Sequence, residues 1–291
     1  MIKIPESIAI IGGGVIGCEF ASFFSKLGVK VAIIEMMDRL ISTQSREVSK
    51  KLEIIFKKNG VEVYTSSCVE KVDKGDFMEL VLAGGKRIKA QKIMIATGRA
   101  ANTEGLGCEG VGIKLHDGKI CVDDFLKTEV PGVYAIGDCI AGPQLAHKAS
   151  YDGMVACDNI LGSRRKADYS AIPNCIWTDP EIASVGLSEE DAKALHQDIK
   201  VAKFPYLASG KAYLEAETEG FVKIVGTSTG ELVGVEIIGK DACNLIGEAV
   251  LAKARGVTIK EWADVVHGHP TLSETLQEAC HVFCGTPIHS I

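Results

Sequence analysis

The chain has 291 residues, 46% hydrophobic and 24% charged, and its 32 basic and 38 acidic residues leave a formal net charge of −6. That is the balance of a folded globular protein with room for two or three compact units, and it excludes a disordered or collagenous chain. The charges are mixed and form no basic block, which argues against nucleic acid as a partner, and no uncharged apolar run reaches the roughly 18–20 residues of a bilayer span. The first ten residues lead into a strand rather than a secretory segment. The 10 cysteines are irregularly spaced in apolar contexts, which reads as reduced, buried thiols in a cytoplasmic protein rather than a secreted disulfide scaffold. Cys280 and Cys284 sit one helical turn apart. Without a second pair at zinc-site spacing they read as small apolar side chains rather than as a metal or redox pair.

In chain order, residues 7–11 form a short apolar run that ends in three glycines, and an amphipathic segment over 15–27 is stopped by Gly28. This reads as strand, turn, helix and C-cap. A β-branched run over 29–34 closes with Glu35, and 45–58 is predicted helical before Asn59-Gly60. Two strands flanking a helix in this order imply a right-handed parallel βαβ unit. From 61 to 97 the pattern changes to short alternating strands with a Gly84-Gly85 turn, an antiparallel excursion that returns through the apolar strand 92–96. A glycine-rich stretch, 98–118, precedes a predicted strand at 133–136, then Gly137-Asp138 and a helix over 147–161. The charged connector 162–166 is the expected domain boundary. Beyond it, strands at 221–225 and 232–238 and an Ala-rich helix over 242–254 read as α+β.

The stretch Gly12-Gly13-Gly14-Val15-Ile16-Gly17 matches G-x-G-x-x-G in the right context: a strand before, a helix after, and an acidic residue eighteen positions further on at Glu35. Gly12 permits the tight turn, Gly14 lets the backbone approach a pyrophosphate, and Gly17 allows helix and strand to pack closely. The helix start supplies free N–H groups and a partial positive charge for that pyrophosphate. Glu35 at the end of the second strand is placed to accept both ribose hydroxyls, and its charge repels a 2′-phosphate, so NAD is expected over NADP.

Together with this turn, the sequence carries Ala96-Thr97-Gly98-Arg99, Ala135-Ile136-Gly137-Asp138, Leu145-Ala146-His147-Lys148-Ala149 and His267-Gly268-His269-Pro270-Thr271-Leu272-Ser273-Glu274. In this order they resemble the pyridine nucleotide-disulfide oxidoreductases, and among these flavoprotein disulfide reductases the dihydrolipoamide dehydrogenase type. The resemblance spans essentially the whole chain. It implies a Rossmann-like NAD-binding domain at 1–118, with a parallel sheet and a small antiparallel excursion. A central FAD-contacting segment would follow at 119–166 and an α+β dimerisation domain at 167–291.

By that likeness Gly137, Asp138, Leu145, Ala146 and His147 contact FAD, Gly98 is a further cofactor-binding residue, and Glu19 lies near nicotinamide and flavin, where it pairs with a lysine of the flavin domain. His269 matches the family's base and Glu274 its orienting carboxylate, with His267 a second family histidine. Imidazole suits the role, since its ordinary pKa near 6.5 lets it take a thiol proton at neutral pH. His267 and His269 also read as a metal pair in isolation, but no further ligand cluster supports one. The family's histidine acts on the neighbouring subunit, which implies a homodimer. The segments Trp177-Thr178-Asp179-Pro180-Glu181 and Ala183-Ser184-Val185-Gly186 resemble the start of the family's interface domain.

The implied activity is NAD-dependent oxidation of dihydrolipoamide through a disulfide and FAD. Its partners would be a lipoyl protein of a 2-oxo acid dehydrogenase or glycine cleavage complex. The family's first glycine fingerprint and its C-x4-C redox motif are not in this sequence. The expectation is therefore a fragment without the flavin domain, inactive alone; the alternatives are a non-catalytic NAD-binding dimerising subunit or another flavin disulfide reductase. Ala100-Ala101-Asn102, in place of the family's x-Pro-Asn, is expected only to loosen a turn.

Overall fold

The computed structural model describes residues 3–289. They form two compact units, one running to Gly98 and resuming at Pro173, the other Arg99–Ile172. In the first unit, β1 (Ser7–Ile11), β2 (Lys30–Ile34) and β3 (Glu62–Tyr64) are joined through α1 (Val15–Lys26) and α2 (Arg46–Lys58). A small antiparallel sheet of β4 (Val69–Asp73), β5 (Met78–Leu82) and β6 (Arg87–Ala90) follows, and β7 (Lys92–Ile95) returns to the parallel sheet, whose order is β3-β2-β1-β7. The order reverses at β1, so the loop leaving β1 lies at the topological switch point, where doubly wound sheets bind ligands.

Alternation along these strands sorts the core. Ile8, Ile10, Val31 and Ile33 pack with Phe24, Val48, Leu52 and Phe56 of the helices. Ala9, Ala32 and Ile34 face Leu80, Leu82, Ile88 and Ala90 of the antiparallel excursion. Ser45 caps α2 by accepting from the Val48 amide, and Gly84 and Gly85 supply the positive φ of the β5–β6 turn.

The second unit holds the two-residue strands β8 (Leu115–His116) and β9 (Lys119–Ile120) and the helix α3 (Ala146–Ile160), around a core of Cys108, Ile120, Leu126, Ala135, Ile140 and Val155. The strand expected at 133–136 does not form. Residues there make a single antiparallel bridge, Lys127 to Tyr134, closed by the Thr128 amide on Val133 O and the Ala135 amide on Leu126 O, and the pairing extends no further into a strand. The unit also keeps residues 99–118 and the connector 162–166, which the sequence reading divided differently. Thr103 bonds to Gly118 O, Asn159 to the backbone of Arg165, and Lys166 to Asp124, which fastens both segments to this unit.

The rest of the first unit is a five-stranded antiparallel sheet, order β10-β11-β14-β13-β12, with β10 Asn174–Ile176, β11 Glu181–Gly186, β12 Ile199–Pro205, β13 Phe221–Thr227 and β14 Leu232–Gly239. Every residue of β13 and β14 is buried, so these central strands are covered on both faces. Helices α4 (Glu189–Leu195), α5 (Gly210–Leu214), α6 (Ala242–Ala254), α7 (Ile259–Ala263) and α8 (Glu274–Cys284) complete it. The two halves of the unit share a core, since Ile176, Ile182, Phe221 and Ile238 cluster with the residues packed around α1 and α2. Polar pairs bridge them too: Glu219 holds Lys51 and Lys58 of α2, each at 2.7 Å. Lys223, buried in β13, meets Glu47 at 2.7 Å and Glu236 at 3.1 Å.

Candidate active site

The turn after β1 is shaped by what a side chain would strike. Gly12 has φ +108°, and a Cβ there would lie 2.3 Å from the Ala96 carbonyl oxygen of the strand alongside; at Gly17 it would lie 1.9 Å from the Gly12 carbonyl oxygen. A Cβ at Gly14 would meet nothing within 4 Å. Gly14 is the N-cap of α1, no side chain caps that helix, and its first turn holds no acidic residue. The turn is thus closed where backbone meets backbone at Gly12 and Gly17 and open at Gly14, where α1 begins, which suits a bound pyrophosphate.

Glu35 completes this corner. Its Oε2 accepts from the Gly13 amide at 2.5 Å and its Oε1 from the Met37 amide at 2.7 Å. Each oxygen keeps a second acceptor direction. Cys18, behind the turn, donates to the Gly13 carbonyl. Burial, then the charges of Glu35 and Glu19, push its thiol up, so it is inert packing. Glu19 on α1 is half-buried, and its Oε1 accepts from the Trp177 amide at 2.9 Å.

The second constellation stands at the start of α8. His269 Nδ1 lies 2.9 Å from Glu274 Oε1, and the Thr271 amide donates to Glu274 Oε2 at 2.7 Å. Burial raises the Glu274 carboxyl, but the Thr271 amide and His269 outweigh it, and the group is held below the ordinary carboxylate range. With Nδ1 facing a carboxylate, the ring proton sits on Nδ1 and Nε2 is the acceptor. The His269 side chain is 75% exposed while Glu274 is 23% exposed: an oriented imidazole turned outward from its own chain. His267 is different, only 6% exposed, with Nε2 2.8 Å from Glu248 and Nδ1 2.9 Å from the Val265 carbonyl. Both nitrogens are engaged inside the fold, so it holds the loop rather than reaching out.

In the Arg99–Ile172 unit, Gly137 has φ +74° and Asp138 lies 3.8 Å from Arg99. Leu145 is the N-cap of α3, whose start at Ala146 and His147 is exposed and carries no side-chain cap. An uncapped, exposed helix start suits an electron-rich group. Gly98, at the end of the other unit, has φ +126° with open space around its Cα.

Supports that no motif singles out stand behind these residues. Lys148 and Asp152, both fully buried, pair at 2.8 Å behind Gly137, whose amide donates to Asp152; Tyr169 also donates to Asp152, at 2.8 Å. The four-residue spacing of Lys148 and Asp152 on a helix was the available signal. The Trp177 amide on Glu19 and the Glu248 carboxylate on His267 left none, since they join residues far apart in sequence.

The glycine turn at the switch point, the carboxylate that closes it and the outward histidine–carboxylate pair all lie in the first unit. The chain belongs to the pyridine nucleotide-disulphide oxidoreductase family, whose model matches residues 2–153, and the family's dimerisation domain matches residues 172–280. It is 41% identical to a dihydrolipoyl dehydrogenase of Bacillus subtilis over 99% of its length and 40% identical to that of Geobacillus stearothermophilus. It spans 63% of the length of each of these relatives. Among solved structures, LpdA from Mycobacterium tuberculosis superposes with a TM-score of 0.90 at 27% identity, over 97% of this chain and 62% of that one. An HOCl-induced flavoprotein disulfide reductase of Escherichia coli gives 0.90 at 26% identity, over 97% and 66%. Among the described residues, no helix is long and apolar enough to cross a membrane.

Proposed function

We propose that this chain is the nicotinamide-binding and proton-accepting part of an NAD-dependent dihydrolipoamide-oxidising flavoprotein. The observation that carries the reading is the His269–Glu274 pair, oriented at 2.9 Å and turned outward. In this reading Gly12, Gly13, Gly14, Val15, Ile16, Gly17 and Glu35 hold NAD. Glu19 lies on its nicotinamide side, Gly137, Asp138, Leu145, Ala146 and His147 contact FAD, and Gly98 is a further cofactor-binding residue. When bound, NAD and FAD supply the hydride and electron transfer.

The chain's own residues do the rest. The amides at the start of α1 neutralise the pyrophosphate. Glu35 orients the ribose and repels a 2′-phosphate. His269 Nε2 takes the proton of a dihydrolipoamide thiol, and the ionised Glu274 fixes the ring and stabilises the resulting imidazolium. Because the ring points away from its own chain, the thiol lies at a second subunit, and the domain from residue 167 onward provides the homodimer contact. The lipoyl group belongs to a protein of a 2-oxo acid dehydrogenase or glycine cleavage complex in the cytoplasm.

The test is NADH formation from dihydrolipoamide when the chain is supplied with a flavin-binding partner chain that carries C-x4-C. Turnover that requires both, and falls on His269→Gln, is expected. Assembly and flavin retention without turnover would favour a purely NAD-binding, dimerising subunit. Turnover of another disulfide in place of lipoamide would favour a different reductase of the same family.

A further inference from the structure

Cys175 and Cys243 are 68 residues apart in sequence, yet they lie together where β10 faces the first turn of α6. The Cys243 sulfur lies 3.8 Å from the Ile176 carbonyl oxygen and 3.7 Å from that of Ile182, on the strand alongside. The Cys175 sulfur lies 4.0 Å from the Cys243 carbonyl oxygen. Both residues are partly exposed. Their backbones are anchored: Cys175 pairs with Ala183 across the sheet, and the Cys243 amide donates to Glu181 at 3.0 Å.

The two thiols are unlike. The neighbouring Cys243 thiol, against burial and the nearby Glu181, holds the Cys175 thiol below its ordinary range, while Cys175 and burial push Cys243 up. One sulfur is the readier nucleophile and the other retains its proton, which is the division of labour of an attacking and a resolving cysteine. Cys280 and Cys284 offer no equivalent, because Cys280 is fully buried.

We propose that Cys175 and Cys243 form a dithiol site that reduces low-molecular-weight disulfides and closes to an intramolecular disulfide. The Cys175 thiol loses its proton to water, and the thiolate attacks one sulfur of the disulfide RSSR. The S–S bond of RSSR breaks, the first RS⁻ leaves and takes up a proton, and Cys175 is joined to the other RS. Cys243 then loses its proton, attacks the Cys175 sulfur and expels the second RS⁻, which is protonated in turn. Two protein thiols are oxidised by two electrons, and one RSSR becomes two RSH. Closure requires the two sulfurs to come within about 2 Å of each other, a side-chain movement between two anchored backbones. The proposal does not depend on the NAD or dihydrolipoamide reading.

In the experiment, the reduced 291-residue chain is exposed in its native state to glutathione disulfide, alkylated with iodoacetamide and mapped by peptide mass spectrometry. Expected is the loss of two of the ten thiols, in a dithiothreitol-reversible cross-link of the Cys175 and Cys243 peptides. In Cys243→Ser, glutathione should stay attached at Cys175, with Cys243→Ala as the substitute if the serine variant fails to fold by circular dichroism. The proposal is overturned if Cys175 and Cys243 both remain alkylatable while the exposed Cys68 and Cys157 take up glutathione. It is equally overturned if the wild-type chain stops at a Cys175 mixed disulfide without closing.

Discussion

The glycine turn and the histidine pair reach fixed geometry by opposite means. The turn is held by exclusion: backbone atoms of Gly12, Gly17 and Ala96 approach so closely that only glycine fits, and its working groups are main-chain amides. The pair is held by attraction: a 75% exposed ring is kept in place by one carboxylate, which is itself fixed by the Thr271 amide. A site built by exclusion fails when an atom is added, and one built by attraction fails when an atom is removed or a charge changes.

The largest effect should come from the attractive side. His269→Gln is expected to slow dihydrolipoamide-dependent NADH formation in the flavin-containing assembly by about 10²–10⁴, while calorimetry shows unchanged NADH affinity in the chain. Next comes the closed side of the turn. Gly17→Ala puts a methyl into the Gly12 carbonyl, so both NADH binding and the melting temperature should fall, with about 1–3 kcal/mol of stability lost. Gly14→Ala separates function from fold: nothing meets its Cβ, so melting should stay near wild type while NADH binds about tenfold or more weakly, ~1.4 kcal/mol for each tenfold. Equal melting losses for the Gly14 and Gly17 variants would break the distinction between open and closed sides.

The smallest effect concerns the contact between the two halves of the larger unit. Lys51 first and then Lys58 hold the Glu219 carboxyl at about 2, below its ordinary 4.5. A depressed carboxylate contributes stability that is complete above its unfolded pKa and lost as pH falls through the folded one. The pair is exposed and screened, so Glu219→Gln should lower stability by only about 0.2–1 kcal/mol near neutrality. The difference from wild type should shrink between pH 4.5 and 2, as followed by thermal melts.

The same contrast explains what the sequence disclosed. Exclusion writes itself locally: Gly12, Gly14 and Gly17 with the flanking apolar runs foretold β1, α1, β2 and α2 within a residue or so, and the Ala-rich helix fell on 242–254, where α6 lies. His269 and Glu274 were legible only as a motif, and the structure supplies their distance and orientation. Attraction between distant segments left no trace. Trp177 on Glu19, Glu248 on His267 and the Cys175–Cys243 contact all depend on sheet register. The expected strand at 133–136 failed for a related reason, since periodicity cannot say whether a neighbouring strand exists to pair with it.

The central claim is that the turn and Glu35 together select NAD. Titration calorimetry of the 291-residue chain with NADH and with NADPH addresses it directly. The account requires NADH to bind at least about tenfold more tightly, with the preference narrowed in Glu35→Gln. Tighter binding of NADPH, or no binding of either nucleotide, would contradict it.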